Sequence, residues 1–86
     1  MTMQLLVARW SSACDRAQET WREVATARGI ALDIVDIETA AGLALAERLN
    51  LATVPVLLID GRPAAVGVQS KEEAHRLIDA ALGQET

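Results

Sequence analysis

The sequence predicts an α/β fold in which four strands form one mixed sheet with helices on both faces. Short apolar runs of strand length alternate with longer segments of helical periodicity, and Gly, Asn or Asp-Gly separates them. The resulting order is β-α-β-α-β-β-α. Strands joined through a helix are expected to be parallel, with a right-handed crossover. The turn Asp60-Gly61 predicts an antiparallel hairpin between the last two strands, so the sheet is mixed.

The first half of the chain predicts two strands with a helix between them. Residues 3–9 contain the short apolar segment Leu5–Ala8, which is typical of a central strand buried on both faces. Residues 12–28 have helical periodicity, and Gly29 ends that helix. Residues 30–37 mix branched apolar residues with aspartates, which indicates a strand nearer the sheet edge. The inward face of the helix is predicted to contain Cys14, Ala17, Trp21, Val24 and Ala25.

A second helix is predicted after the aspartate-containing strand. Thr39 can cap its first turn, and the helix continues to about Leu49. Asn50 can adopt the left-handed conformation that ends a helix. Gly42 lies inside this helix and is expected to weaken it by about 1 kcal/mol relative to alanine.

The second half of the chain predicts the hairpin and the last helix. Residues 54–59 form the third strand and residues 64–68 the fourth, with Pro63 at the start of an edge strand because proline has no N–H donor. Ser70-Lys71-Glu72-Glu73 has the pattern of a capping box. Residues 84–86 are expected to fray. The inward face of the last helix is predicted to contain Ala74, Leu77, Ile78, Ala81 and Leu82.

Length and composition narrow the classes of function. We expect the 86 residues to form one domain, 1–86. The net charge of −4 argues against nucleic-acid binding and against attraction to anionic lipid. No apolar run approaches the roughly 20 residues of a membrane span, and no signal peptide is expected. One cysteine cannot form an internal disulfide, so the cytoplasm is the expected location.

The segment Trp10-Ser11-Ser12-Ala13-Cys14 is the strongest chemical signal in the chain. It contains the single cysteine and joins the first strand to the first helix. Ser11 or Ser12 can cap the helix, which places Cys14 in its first turn. The positive end of the helix favours a thiolate there, whereas burial favours the neutral thiol. The sequence alone therefore allows two interpretations of Cys14, as a reactive thiol or as a buried, inert one.

Together with a second motif, this segment resembles the thioredoxin superfamily over essentially the whole chain. Trp10-Ser11-Ser12-Ala13-Cys14 occupies the place of the family's Trp-Cys-x-x-Cys motif, and Thr53-Val54-Pro55 matches the stretch that ends in a cis-proline. The hairpin Leu57–Gly61 and the following Gly67 also match, and the short length resembles glutaredoxins. The resemblance implies that both motifs are adjacent. It also implies a cis bond before Pro55 that leaves the backbone of Val54 able to pair with an extended peptide or glutathione.

Three departures from the family pattern bear on function. Ser11 stands at the position of the attacking cysteine, and Cys14 stands at that of the resolving one. A dithiol cycle needs both sulfurs, so this chain cannot form the intramolecular disulfide. Leu5 lies about where full-length thioredoxins carry a buried acid. Val68 replaces a second glycine of glutaredoxins, which argues against glutathione, and no cofactor or metal is expected.

The leading hypothesis is a thiol-redox protein that acts through one cysteine on a protein or small-molecule thiol or disulfide. Cys14 would be the thiolate, and Ser11 and the helix N-terminus would stabilise it. One alternative is a redox-inactive binding or assembly module of the same fold. Another is a dithiol oxidoreductase in which Ser11 has replaced the first motif cysteine. The residues expected to contact the partner are Trp10, Ser12, Ala13, Thr53, Val54 and Pro55.

The remaining polar and aromatic residues have structural interpretations. Arg9 is expected to be an ordinary solvated arginine, and Trp21 a core residue. His75 is expected to face solvent, because it has no neighbours at metal-ligand spacing. Three carboxylates are interpreted as a solvated edge: Asp33, Asp36 and Glu38.

Overall fold

The computed structural model describes residues 1–83 and has the predicted order of elements, β-α-β-α-β-β-α. The strands are β1 (Met3–Val7), β2 (Leu32–Asp36), β3 (Val56–Ile59) and β4 (Arg62–Val66). The helices are α1 (Ser12–Arg28), α2 (Ala40–Arg48) and α3 (Lys71–Ala81). The predicted fold class is confirmed. The predicted fraying of residues 84–86 lies outside the described residues.

The sheet has the strand order β2-β1-β3-β4, so β1 is an interior strand. β1 is parallel to β2 and antiparallel to β3, and β3 is antiparallel to β4. Asp60 and Gly61 have φ angles of 51° and 81°, as a type I′ turn requires. β4 begins at Arg62, earlier than predicted, because Arg62 pairs with Ile59 directly after that turn.

The two faces of the sheet are covered by different helices. Met3, Leu5 and Val7 lie in one core cluster with buried residues of α1 and α3. Leu6 lies on the opposite face, in a smaller cluster against which α2 packs. Trp21 is fully buried in the larger cluster, as predicted, and its Nε1 donates a hydrogen bond to Gln69 Oε1 at 3.0 Å.

The predicted helix ends are confirmed, but the predicted inward face of α3 is partly wrong. Gly29 and Asn50 have φ angles of 66° and 56°. Both hydrogen bonds of the capping box between Ser70 and Glu73 are present. The apolar residues on one face of α3 continue past the part of the helix that packs against the rest of the protein. Ala74 and Ile78 are buried and Leu77 is half-buried, whereas Ala81 and Leu82 are exposed.

Gly42 allows α2 to pass unusually close to the end of β2. A Cβ atom at this position would lie 2.7 Å from the carbonyl carbon of Asp36 and 2.9 Å from the Cα atom of Ile37. Carbon atoms in van der Waals contact are about 3.5–4.0 Å apart, so no side chain fits there. The sequence indicated only a weak point in a helix. The structure shows a close approach that fixes the connection between β2 and α2.

Candidate binding groove at the start of helix α1

Ser11 is the residue that caps α1. Its backbone is extended, with φ −107° and ψ 121°, and its Oγ accepts a hydrogen bond from the N–H of Cys14 at 3.2 Å. Ser12, the other candidate, is exposed and is the first residue of the helix. A serine cap satisfies a backbone donor that would otherwise have no partner, so Ser11 stabilises the turn that contains the cysteine.

Cys14 is buried beneath this turn. The residue is 1% exposed and belongs to the larger core cluster. Its Sγ accepts a hydrogen bond from the N–H of Ala8 at 3.3 Å. The thiol is therefore packed between the end of β1 and the first turn of α1.

Two polar contacts join the loop after β1 to the end of β2 and the loop that follows it. Arg9 Nε lies 2.6 Å from Asp36 Oδ2, and Trp10 Nε1 donates to Glu38 Oε2 at 3.2 Å. The second oxygen of Asp36 accepts the N–H of Glu38 at 2.8 Å. This N–H, and then the Arg9 guanidinium, lowers the pKa of Asp36, and the Asp36 carboxylate raises the pKa of Arg9.

These contacts extend one expectation and correct another. Arg9 is solvated as expected, with 76% of its side chain exposed, and it also forms an ion pair. Asp36 and Glu38 are not merely a solvated edge, because they hold Arg9 and Trp10. The signal for this was available in the sequence. The carboxyl ends of neighbouring parallel strands lie at the same edge of a sheet. Arg9 and Trp10 follow β1, whereas Asp36 is the last residue of β2 and Glu38 follows it.

An apolar groove of about 310 Å³ lies between this loop and the segment before β3. Its lining includes Trp10 and Ser11 from the loop after β1, Ile37 from the loop after β2, and residues 52–54 from the segment before β3. The complete lining is Leu6, Trp10, Ser11, Ile37, Ala46, Leu51, Ala52, Thr53 and Val54.

The groove brings together some of the predicted site residues but not all of them. Trp10, Ser11, Thr53 and Val54 line it. Of the remaining predicted residues, Ser12, Ala13, Cys14 and Pro55 do not line the groove. Ser12 is exposed and Ala13 half-buried, whereas Cys14 and Pro55 are buried.

Residues 53–55 are the last part of the connection between α2 and β3. The Val54–Pro55 peptide bond is cis. The Pro55 carbonyl accepts the N–H of Gly67 at 2.9 Å, which fixes the far end of this segment. Within residues 1–83, the backbone N–H and C=O groups of Thr53 and Val54 have no hydrogen-bond partner. β3 begins at Val56, later than predicted, because Pro55 has no N–H to donate to a strand partner.

The only histidine of the chain has a structural contact away from the groove. His75 is half-buried, and its Nδ1 lies 3.1 Å from Arg28 Nη1. Arg28 also pairs with Asp79 at 2.6 Å, so these residues join α1 to α3. The expectation that His75 faces solvent is wrong, because the packing of α3 on α1 brings it against Arg28.

Neither a metal cluster nor a membrane-crossing helix is found in the described part of the chain. In residues 1–83, no three His, Cys, Asp or Glu side chains lie close enough together to hold a metal ion. Over the same residues, no helix is both long enough and apolar enough to span a bilayer.

Comparison with known proteins gives a consistent result. The family model described as "Thioredoxin domain" matches residues 3–79. Thioredoxin 1 from Thermosipho africanus TCF52B is similar in structure, with a TM-score of 0.73 at 16% identity over 96% of both chains. A mutant thioredoxin from Halobacterium salinarum NRC-1 has a TM-score of 0.74 at 24% identity, over 92% of this chain and 72% of that one. No curated protein sequence matches.

Proposed function

The chain belongs to the thioredoxin family, and on that premise we propose that it binds an extended segment of a partner protein in the groove between Trp10-Ser11 and residues 52–54. In this proposal Cys14 is a packing residue. The observation that carries it is the placement of the single cysteine, which is 1% exposed and whose Sγ accepts a hydrogen bond from the N–H of Ala8. A partner in the groove meets the hydroxyl group of Ser11 instead of a thiol.

The unpaired backbone of Thr53 and Val54 supports an extended ligand. Backbone N–H and C=O groups that have no partner within the protein are free to pair with a peptide strand, which supplies donors and acceptors along its length. The groove beside these groups is mainly apolar and has room for alternate side chains of such a strand. Together, these features favour strand addition at residues 53–54.

A titration with a neutral, extended peptide tests the proposal. The probe is a blocked heptapeptide of alternating valine and threonine, and the readout is the set of backbone amide resonances of the protein. We expect shifts at Thr53, Val54 and the Trp10 indole N–H. Ala52→Phe, which fills the groove from an exposed position, is expected to abolish them. Ala27→Phe, at an exposed position of α1, is the matched control and is expected to bind normally.

Two outcomes of this titration would overturn the binding proposal. If the peptide causes no shifts at residues 53–54, or if Ala52→Phe binds as well as Ala27→Phe, the groove is not a peptide site.

A second candidate function is single-thiol exchange at Cys14, and one observation favours it. The thiol lies directly behind Ser11, whose Oγ accepts the N–H of Cys14 and which itself lines the groove. If this turn opens, the Cys14 thiolate can attack one sulfur of a partner disulfide, after its proton passes to solvent. The partner S–S bond breaks, its other sulfur leaves as a thiolate, and a mixed disulfide remains. An external thiol must then release it, because the chain has no second cysteine.

Reaction with an aromatic disulfide such as 5,5′-dithiobis(2-nitrobenzoate) separates the two candidates. The binding proposal expects reaction of the folded protein to be limited by opening of the structure, and denatured protein to react at once. Rapid stoichiometric reaction of the folded protein would favour single-thiol exchange instead. Neither candidate requires a cofactor. One cysteine needs no oxidising compartment, so the proposal places the protein in the cytoplasm.

A further inference from the structure

The indole ring of Trp10 is held at the groove although most of its surface is exposed. Trp10 is 73% exposed, which is unusual for the largest apolar side chain. Its Nε1–H donates a hydrogen bond to Glu38 Oε2 at 3.2 Å, so one edge of the ring is fixed while the rest faces solvent and the groove. An exposed tryptophan face is the strongest site for a cation among the aromatic side chains.

The charges beside this ring are not balanced. Asp36 is paired with Arg9 at 2.6 Å. Glu38 follows Ile37, which lines the groove, and forms no ion pair with any cation of residues 1–83, although its charge adds to that of Asp36 in raising the pKa of Arg9. The two carboxylates and one guanidinium therefore leave one negative charge at the Trp10 side. The whole chain is also acidic, with a net charge of −4, so a basic ligand is attracted over a longer range.

We propose that the segment bound in the groove presents a basic side chain, arginine in particular, to the exposed face of Trp10 and the carboxylate of Glu38. A guanidinium group stacks on an aromatic ring and pairs with a carboxylate at the same time. This inference rests on the proposed binding function and adds the chemical class of the ligand. It also assigns Glu38 two tasks, to fix the ring and to supply the charge.

Three versions of one peptide test the inference. The blocked valine–threonine heptapeptide carries arginine, citrulline or glutamate at its central position. Citrulline has the size and planar end group of arginine without its charge. The readout is the Trp10 indole N–H resonance, identified by its loss in Trp10→Phe, with the Trp21 resonance as an internal reference. The expected Kd of the arginine peptide is lower than that of the citrulline peptide by about three- to ten-fold. The glutamate peptide is expected to bind more weakly than both.

Two charge-matched variants locate the effect. Glu38→Gln keeps an oxygen acceptor for the Trp10 N–H and removes the charge, so the preference for arginine over citrulline is expected to fall by about half or more on a logarithmic scale. Glu19→Gln changes the net charge equally at an exposed position of α1 and is expected to keep the full preference.

The outcomes distinguish this inference from the proposed function. Equal binding of the arginine and citrulline peptides would overturn the inference and leave the binding groove intact. An arginine preference that survives unchanged in Glu38→Gln would also overturn it, because the cation would then be recognised elsewhere. Failure of all three peptides to bind would overturn the proposed function and the inference with it.

Discussion

Gly42→Ala gives the sharpest test of the packing behind the groove. Helix propensity predicts that this substitution raises the free energy of unfolding, whereas the structure predicts that it lowers it. Alanine is favoured over glycine by about 1 kcal/mol in a helix interior, so propensity alone predicts a more stable protein. In the structure, the added Cβ would lie 2.7 Å from the carbonyl carbon of Asp36 and 2.9 Å from the Cα atom of Ile37. To restore ordinary contact distances, α2 must retreat from the end of β2 by about 1 Å.

The free energy lost when α2 moves away follows from the contacts that this movement disturbs. The carbonyl of Asp36 accepts the N–H and the Oγ–H of Thr39 at 3.1 and 2.6 Å, and Thr39 Oγ accepts the N–H of Gly42 at 3.0 Å. Overpacking costs about 1–3 kcal/mol, and one weakened hydrogen bond adds about 1 kcal/mol. After the gain in propensity, the free energy of unfolding is expected to fall by about 2 kcal/mol.

Urea unfolding followed by circular dichroism measures this change. Ala44→Gly, at an exposed position of the same helix, is the control and is expected to lose about 1 kcal/mol. A second readout is the Trp10 indole N–H resonance, which is expected to shift in Gly42→Ala because the segment carrying Glu38 moves. A Gly42→Ala protein as stable as the original, with an unchanged Trp10 resonance, would refute the reasoning.

Three further predictions follow from the same contacts. Ser11→Ala removes the helix cap and is expected to lower the free energy of unfolding by about 1 kcal/mol, whereas Ser12→Ala is expected to change it by less than about 0.5 kcal/mol, both measured by urea unfolding. Because the pKa of Asp36 is lowered in the folded protein, its contribution to stability is present above its usual value of 3.8 and is lost as the pH falls through the lower folded value. The stability difference between the original protein and Asp36→Asn is therefore expected to close on acidification, and a difference that is constant from pH 7 to pH 2.5 would contradict the assignment. Ser11→Cys places a second thiol one helical turn from Cys14 and is expected to catalyse the reduction of insulin disulfides by dithiothreitol, whereas Ser12→Cys, two positions from Cys14 on a different helix face, is expected to be inactive.

The elements that were predictable from sequence are those fixed by local chemistry. The Asp60-Gly61 turn, the cap at Ser70, the left-handed Asn50 and the cap of α1, for which the sequence offered Ser11 or Ser12, each depend on residues within one turn of each other. Such signals act at short range, and the structure contains them where the sequence indicates. The position of Trp21 also follows from one periodic helix face.

The features that escaped prediction depend on residues that are distant in sequence. Trp10 and Glu38 are separated by 28 positions, and Arg28 and His75 by 47. No local pattern indicates that these side chains meet. For Trp10 and Glu38, the only signal is the parallel pairing of β1 with β2, which brings both residues to the same edge of the sheet. For Gly42, the local pattern predicted only a weaker helix. Helix propensity takes no account of the end of β2, which passes directly against this residue.

The groove does not depend on a thiol group at position 11, where this chain has serine. Serine is among the strongest N-cap residues, and Ser11 Oγ satisfies the N–H of Cys14. The other groove walls are built from Trp10 and residues 52–54, whose positions depend on Glu38 and on the Pro55–Gly67 hydrogen bond, not on a thiol at position 11. A chain with serine at position 11 therefore has both a stable helix start and an apolar groove beside it. This independence is why binding and redox chemistry can be tested separately in this protein.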